Sequence, residues 1–313
     1  MCESDIPLPN LDFDELDEFE DLSPSPKCEL KANIFELTQL FGFKLISEDP
    51  LKATSSSCVY AASSNSFDEI KLQGDNDDQI TSTNKFALKI SKSKKRINKE
   101  FENYQKLPES PNLVKSYDIF ETNNLIILQM ELCLGGDIFG VRLEEKTIWK
   151  LIHDISNALD IIHSEDLIHL DVSPSNILVQ NNEFKLADFG TLVENGAFQP
   201  GDEGAGPYAA PEVLLFPGSK KDGYVHVWSA ADIFSFGVVL LECTTGYFAP
   251  RGGTPLYEEL RRGNLKLGEG SFKCNCSSEL VSLVNEMLNP DPMLRPTAGQ
   301  IMRHPYVKDF NAV

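Results

Sequence analysis

Short apolar and β-branched runs alternate with polar stretches along the first third of the chain. Four of these runs, each bounded by polar or turn-forming residues, predict β-strands at 43–46, 58–62, 86–90 and 125–130. Further along, apolar residues take the three- and four-residue spacing of one helix face: Ile148, Leu151, Ile152, Ile155, Leu159 and Ile162. A strand-rich first third followed by a helix-rich remainder predicts an α+β protein with two lobes.

Two polar segments lie outside this pattern. Residues 63–85 are rich in Ser, Asp and Asn and predict a loop inserted between the second and third strands. Residues 1–22 hold nine acidic side chains and no basic one, and like charge at this density predicts a disordered tail. The tail is either a solubilising segment or, through Phe13, Leu16 and Phe19, an amphipathic helix formed on a partner. The SPSP run at 23–26 is either a plain linker or a target of a proline-directed kinase.

The net charge and the cysteine content limit the compartments and the binding partners that the protein can have. The 313 residues carry 28 basic and 48 acidic side chains, a net charge of −20 that would repel nucleic acid and anionic membranes. Seven scattered cysteines favour reduced thiols, and the CxC at 274–276 lacks the second ligand pair of a metal site. No apolar run reaches membrane-spanning length. We therefore expect an intracellular protein in the nucleus, the cytoplasm or both; the basic cluster at 92–99 is either a solvated helix start or an import signal.

One ordered set of motifs carries phosphoryl-transfer chemistry. HLDVSPSN at 169–176 is followed by DFG at 188–190 and APE at 210–212. Transfer needs a carboxylate that orients the acceptor hydroxyl, and oxygen ligands for the Mg²⁺ that bridges the phosphates. Asp171 has the position of the first, and Asn176 and Asp188 have the positions of the second. The three motifs, in order and at this spacing, resemble those of protein kinases.

Other segments match the same pattern. FALK at 86–89 resembles the kinase strand whose lysine contacts the α and β phosphates of ATP. Glu100, or Glu102 in its place, would then pair with Lys89. Met130 would be the gatekeeper before a hinge at 131–133 whose backbone holds adenine. The resemblance gives these nucleotide and metal contacts: Val59, Lys89, Glu131, Cys133, Asn176 and Asp188. It gives Asp171, Lys89 and Glu100 as the catalytic residues.

The resemblance implies a bilobal kinase fold. A small antiparallel sheet with one main helix would form the N-lobe, and a larger, mostly helical C-lobe would follow. Asp232 resembles the buried aspartate that supports the catalytic loop, and Arg295 resembles the arginine that pairs with Glu212. The predicted bounds are a tail and linker at 1–33, an N-lobe and hinge at 34–133, a C-lobe at 134–308 and a short tail at 309–313.

Within the kinases, the chain is most similar to the Wee/Myt type, which inhibits cyclin-dependent kinases by phosphorylating their glycine-rich loop. The most specific matches are IHS at 162–164, IHLDVSPSNIL at 168–178, KLADFGTLV at 185–193 and NPDPMLRPT at 289–297. ALKISKSK at 87–94 is also typical of the family. The resemblance implies ATP and Mg²⁺ as cofactors, a cyclin-dependent kinase–cyclin complex as protein substrate, and a brake on mitotic or meiotic entry.

Three departures from the kinase pattern leave alternatives open. The positions of the loop glycines hold Lys52, Thr54 and Ser57, although only glycine lets the backbone approach the phosphates closely. Ser173 stands where the catalytic loop usually has a lysine, and Ala205 stands where Wee-type kinases have an aspartate. A pseudokinase that keeps the fold as a binding module is therefore one alternative. A serine/threonine kinase of another branch is a second.

The activation segment offers few sites for a phosphorylation switch. Between Gly190 and Ala209 its only hydroxyl residues are Thr191 and Tyr208, and Leu170 replaces the arginine that would bind a phosphate there. We expect a segment that reaches its working shape without modification.

Overall fold

The computed structural model describes residues 38, 40–54, 56–64, 85–122, 124–197, 206–214, 229–248 and 255–308. The predicted tails and most of the predicted inserted loop lie outside the described residues. Ala205 also lies outside them. So does Asp202, whose carboxylate could stand in for the aspartate missing at position 205 if the activation segment were bulged.

The first lobe is built on a six-stranded sheet in which all neighbouring strands are antiparallel. Its strands are β1 (Phe43–Leu45), β2 (Lys52–Ala53), β3 (Ser57–Ser64), β4 (Lys85–Ser91), β5 (Ser116–Glu121) and β6 (Ile126–Glu131). The order is β1-β3-β4-β6-β5, with β2 also paired to β3. Alternation buries Cys58 and Tyr60 on one face with Leu88 and Ile90, and turns the residues between them toward the second lobe.

The predicted loop at 63–85 is too long at both ends, and this prediction is wrong there. β3 continues through Ser64, β4 begins at Lys85, and Ser63 pairs with Lys85. The ladder bonds join backbone groups, so a strand can continue where its side chains are polar. Sequence analysis also missed β2 and β5, whose side chains lack an apolar run.

Helix α1 (Lys94–Gln105) is the main helix of the first lobe. Ile97, Glu100 and Asn103 are its buried residues, and their spacing of three places them on one face toward the sheet and the cleft. Lys92, Lys95 and other basic residues at its start are exposed, which fits a solvated helix start.

The second lobe is mostly helical. Its helices are α2 (Glu145–Ser164), α3 (Pro211–Leu214), α4 (Ser229–Thr245), α5 (Pro255–Arg261), α6 (Ser278–Met287), α7 (Ala298–Met302) and α8 (Pro305–Lys308). Helix α4 is buried on nearly every side, and the apolar face predicted on α2 packs in the same core. This lobe also contains two short antiparallel pairs of strands: β7 (Leu167–Ile168) with β10 (Val193–Glu194), and β8 (Ile177–Gln180) with β9 (Glu183–Leu186). The predicted bilobal α+β fold is confirmed.

No helix in the described ranges is both long and apolar enough to cross a bilayer.

Candidate active site

A buried lysine joins the two lobes across the cleft. Lys89 Nζ, on β4, lies 2.7 Å from Glu100 Oε2 and 2.9 Å from Glu100 Oε1 on α1. It also lies 3.1 Å from Asp188 Oδ2 in the second lobe. Glu102, the alternative partner, is exposed on the other side of the helix. One ammonium group therefore holds the main helix and the DFG aspartate at once.

Burial and mutual charge shift the pKa of each member of this group. Burial alone would lower the pKa of Lys89, but Asp188 and Glu100 outweigh it and raise that pKa above its ordinary value. Burial and the nearby Asp188 raise the pKa of Glu100 to about 7, although Lys89 opposes the shift. Burial opposes ionisation of Asp188 too, but Lys89 holds the pKa of this carboxyl below its usual range. Asp188 is thus kept ionised beside a permanently charged lysine.

The catalytic-loop residues are held together by one amide. Asn176 Nδ2 donates to Asp171 Oδ2 at 2.8 Å and to the Asp171 carbonyl at 3.0 Å. These bonds orient the Asn176 amide so that its oxygen is the atom that remains for a ligand. A short 3₁₀ turn, Pro174–Asn176, closes the loop between them.

A buried aspartate on α4 supports this loop from below. Asp232 Oδ2 accepts from His169 N and Asp232 Oδ1 accepts from Leu170 N, both at 2.8 Å. Asp232 Oδ2 also lies 2.9 Å from His163 Nε2. Leu170 has a φ of 63°, a left-handed conformation that is strained for a branched side chain. The two bonds to Asp232 stabilise that conformation and so fix the next residue, Asp171.

The DFG segment is bonded directly to α1. Asn103 Nδ2 donates to the Phe189 carbonyl at 2.8 Å and to the Leu192 carbonyl at 3.2 Å, and the ring of Tyr104 lies against that of Phe189. Asp188 itself has a φ of 67°. The main helix and the segment that bears the predicted metal ligand are therefore positioned as one unit.

An apolar surface lies beside these charges at the hinge. Val59, Ala61, Ala87, Met130 and Leu132 pack together on the face of the sheet that bears Lys89, and their apolar side chains suit contact with a purine ring. Cys133 lies next to it with Val114 and Ala187. Val59 and Cys133, both predicted to contact the nucleotide, thus lie in two clusters, and Met130 packs against both.

The side chain of Glu131 is bonded away from the nucleotide position, and the resemblance gave only the hinge backbone as the contact with adenine. Glu131 Oε1 lies 2.9 Å from the buried Lys185 Nζ on β9, so this carboxylate joins the hinge to the second lobe. The Glu131 N–H donates to the Lys115 carbonyl at 2.8 Å, so at most the Glu131 carbonyl remains for a nucleotide. Burial and Glu131 also raise the pKa of the Cys133 thiol to about 12, which keeps it protonated.

The turn that would cover the phosphates satisfies its own backbone groups. We call it the lid turn; its described residues are Thr54, Ser56 and Ser57. Ser56 N and Ser57 N donate to Thr54 Oγ1 at 3.3 and 3.1 Å. In a glycine-rich loop such amides face the nucleotide. Ser91 Oγ donates to the Ser56 carbonyl at 2.8 Å, and Arg96 donates to Ser56 Oγ at 3.0 Å, so the lid turn is anchored to β4 and α1.

Comparison with protein families agrees with this geometry. The family described as protein kinase domain matches residues 73–307. The chain belongs to the protein kinase family. Protein kinase domains use ATP and a divalent metal ion. The match begins after β3, so the lid turn lies outside the matched residues.

Several curated relatives resemble the chain. A membrane-associated tyrosine- and threonine-specific cdc2-inhibitory kinase of Drosophila melanogaster is 34% identical over 235 residues, which cover 70% of this chain and 42% of the relative. A Wee1-like protein kinase of Oryza sativa subsp. japonica is 36% identical over 200 residues, 62% of this chain and 35% of the relative. A CBL-interacting serine/threonine-protein kinase 10 of Arabidopsis thaliana is 33% identical over 208 residues, 63% of this chain and 41% of the relative. The chain therefore spans less than half the length of these relatives.

Both hydroxyl side chains of the activation segment form hydrogen bonds to other described residues. Thr191 Oγ1 donates to the His169 carbonyl at 2.8 Å, and Tyr208 OH donates to Glu242 Oε2 at 3.0 Å. Burial, together with the Glu242 charge, raises the pKa of Tyr208. Glu242 is fully buried on α4 and also accepts from Tyr257 OH at 2.5 Å. These bonds hold the two described ends of the segment, at Thr191 and Tyr208.

The end of the segment is held by an ion pair that the sequence suggested. Arg295 forms a two-bond fork with Glu212, with N–O distances of 2.5 and 2.9 Å. Arg295 is buried, donates further to the Ala230 carbonyl at 2.9 Å and lies over the Phe234 ring.

Sequence analysis missed three residues of this kinase site: Asn103, Lys185 and Glu242. Lys185 gave a signal, because a lysine between Phe184 and Leu186 in a short apolar strand must find a buried partner. Glu242 gave the same signal, because it lies in the apolar run VVLLEC at 238–243, whereas Asn103 gave none.

Proposed function

We propose that this chain is an active protein kinase that transfers the γ-phosphoryl group of ATP to a protein hydroxyl. The observation that carries the proposal is the Lys89 ammonium, bonded to Glu100 on one side and to Asp188 on the other. Kinase turnover requires that ion pair and the DFG aspartate to be in place together. A binding module without turnover has no need to keep this charged arrangement buried, and desolvating it is costly.

The residues of the cleft divide the chemistry among them. Lys89 binds the phosphates, and the apolar surface around Val59 contacts the purine between the lobes. The Asp171 carboxylate orients the acceptor hydroxyl and takes its proton as the acceptor oxygen bonds to the γ-phosphorus. The bond from that phosphorus to the oxygen shared with the β-phosphate breaks, and ADP leaves with those electrons.

The donor set suits Mg²⁺. Asn176 offers an amide oxygen and Asp188 a carboxylate kept ionised by Lys89, and both are hard oxygen ligands. Mg²⁺ is commonly held by one or two protein oxygens, with phosphates and water completing the octahedron. Among the described residues there is no cluster of three or more His, Cys, Asp or Glu that could hold a metal by itself. When bound, the ion would neutralise charge on the phosphates.

The substrate we propose is a cyclin-dependent kinase bound to cyclin. Two relatives support it by their names, a cdc2-inhibitory kinase and a Wee1-like kinase, each about one third identical. Phosphorylation of such a target would brake entry into mitosis or meiosis. Phosphorylation of this substrate would place the chain where the cyclin complexes are, in the nucleus, the cytoplasm or both.

The test is phosphate transfer from Mg·ATP to a catalytically inactive cyclin-dependent kinase–cyclin complex, with the acceptor residue identified. Asp188→Asn should abolish transfer because it removes a metal ligand. The isosteric control Asp160→Asn, an exposed change on α2, should not alter transfer. Label on tyrosine or threonine of the complex supports the proposal. Label on serine of unrelated proteins would instead indicate another kinase branch, and no label from folded protein would indicate a pseudokinase.

A further inference from the structure

The catalytic loop lacks a positive charge where phosphoryl transfer develops negative charge. Ser173, in place of the usual lysine, is buried, and its hydroxyl lies 3.2 Å from Ser175 Oγ. A hydroxyl turned toward a neighbouring hydroxyl cannot stabilise the transferred phosphoryl group as an ammonium does.

A lysine from the first lobe reaches this loop. Lys52 Nζ donates to the Ser175 carbonyl at 3.0 Å, a contact between residues 123 positions apart. Ser175 lies in the short turn Pro174–Asn176 that follows Asp171, so the ammonium lies against the catalytic loop. A carbonyl is a weak partner for an ammonium group, and a phosphate oxygen would be a stronger one.

The strand register explains why Lys52 points into the cleft. Lys52 pairs with Val59 on β3, and Val59 pairs with Lys89 on β4. Residues directly opposite in antiparallel strands project to the same face. Lys52 and Lys89 therefore stand on one cross-strand row, two strands and about 10 Å apart. That spacing suits two ammonium groups placed along one triphosphate.

The backbone of Lys52 is held in place and its charge is available. The lid turn that follows it is capped by Thr54 and anchored by Ser91 and Arg96. Within the described part of the chain, the Lys52 ammonium forms no ion pair with a carboxylate. It can therefore exchange the Ser175 carbonyl for an anionic ligand without breaking a salt bridge.

We propose that Lys52 is a catalytic residue that contacts the terminal phosphate of ATP and supplies the charge missing at Ser173. This inference rests on the proposed kinase activity. In the transfer step the ammonium stays protonated and forms no covalent bond. It stabilises the negative charge on the γ-phosphoryl oxygens while the bond to the leaving oxygen breaks and the bond to the acceptor forms.

The first test is steady-state kinetics of four variants. Lys52→Met should lower kcat by about 100-fold, the loss typical of one charge-stabilising donor. Lys44→Met, an exposed lysine at the far end of the same sheet, should leave kcat unchanged. Ser173→Lys alone is the reference for the double variant. Ser173→Lys added to Lys52→Met should recover most of the loss. An unchanged Lys52→Met, or a loss that Ser173→Lys does not rescue, would overturn the inference.

A binding measurement separates this inference from the proposed function. Titration calorimetry compares a non-hydrolysable ATP analogue with ADP, each with Mg²⁺. Lys52→Met should weaken the triphosphate about tenfold and leave ADP unchanged, because only the triphosphate reaches the second lysine. If the unaltered protein shows no turnover but this difference is present, the kinase proposal fails and the Lys52 contact stands. Equal effects on both nucleotides, or binding of neither, would overturn the Lys52 contact.

Discussion

Removal of the Asp232 carboxylate should destabilise the protein more than the small size of that group suggests. In Asp232→Ala, the backbone N–H groups of His169 and Leu170 lose their acceptors while they remain in the core. Leu170 also keeps a left-handed conformation, at a φ of 63°, that those two bonds stabilise. The change therefore acts on the catalytic loop as well as on the core.

The magnitude follows from the groups left without partners. A buried donor without an acceptor costs about 1–3 kcal/mol, so two of them cost about 4 kcal/mol together. For a protein whose free energy of unfolding is about 5–15 kcal/mol this is a large fraction. The melting temperature should fall by roughly 10 °C. Asp232→Asn keeps the shape but retains one acceptor oxygen, and it should cost about half as much.

Urea unfolding of three variants measures these costs. The matched control is Ser235→Ala, because Ser235 is also buried on α4 but donates only to the Ala231 carbonyl of its own helix, at 3.1 Å. That change orphans no backbone group and should cost below about 1 kcal/mol. If Asp232→Ala costs no more than Ser235→Ala, the loop does not depend on the buried carboxylate and the reasoning is refuted.

Three further changes test other parts of the site. Glu100 has a pKa raised from 4.5 to about 7, so the folded chain holds that proton more tightly than the unfolded chain. Stability of the unaltered protein relative to Glu100→Gln should therefore fall by about 3 kcal/mol from pH 4.5 to 7, and parallel unfolding curves would contradict this. Arg295→Lys loses the two-bond fork and should cost about 2 kcal/mol by urea unfolding, against almost nothing for the exposed Arg303→Lys. Tyr208→Phe removes one donor from the buried Glu242 and should lower the melting temperature by a few degrees; an unchanged value would show that this bond contributes little.

The strands that the sequence predicted are those whose side chains carry the pattern. β3 and β4 contain short runs of apolar and β-branched residues, and those runs made the two strands predictable. β2 has two exposed residues, and β5 has a half-exposed SYDIFE sequence, so neither offers an apolar run. Their backbone pairs with a neighbouring strand that is already in place, and no local pattern records that.

In the candidate site, too, some contacts could be predicted from the sequence and others could not. The nearness of Asp171 to Asn176 and of Asp188 to Lys89 could be predicted, because motif spacing along the chain corresponds to position in the fold. The contact of Lys52 with Ser175 could not, since it depends on the register of three strands and on the closing of one lobe over the other. A count of missing glycines identified a divergent lid turn, but not the lysine at its base.

The lid turn, together with Lys52 and Lys89, suggests how a kinase site without the loop glycines can still bind the phosphates of ATP. Backbone amides contribute partial charges and need close approach, which is why glycine is required there. Thr54 accepts from two of those amides, so they are no longer directed at a nucleotide. Full charges on long side chains act over greater distance and need no close backbone approach. Lys89 and Lys52, on one cross-strand row, can therefore take over phosphate binding from the backbone, and the side chains at the former glycine positions need not obstruct it.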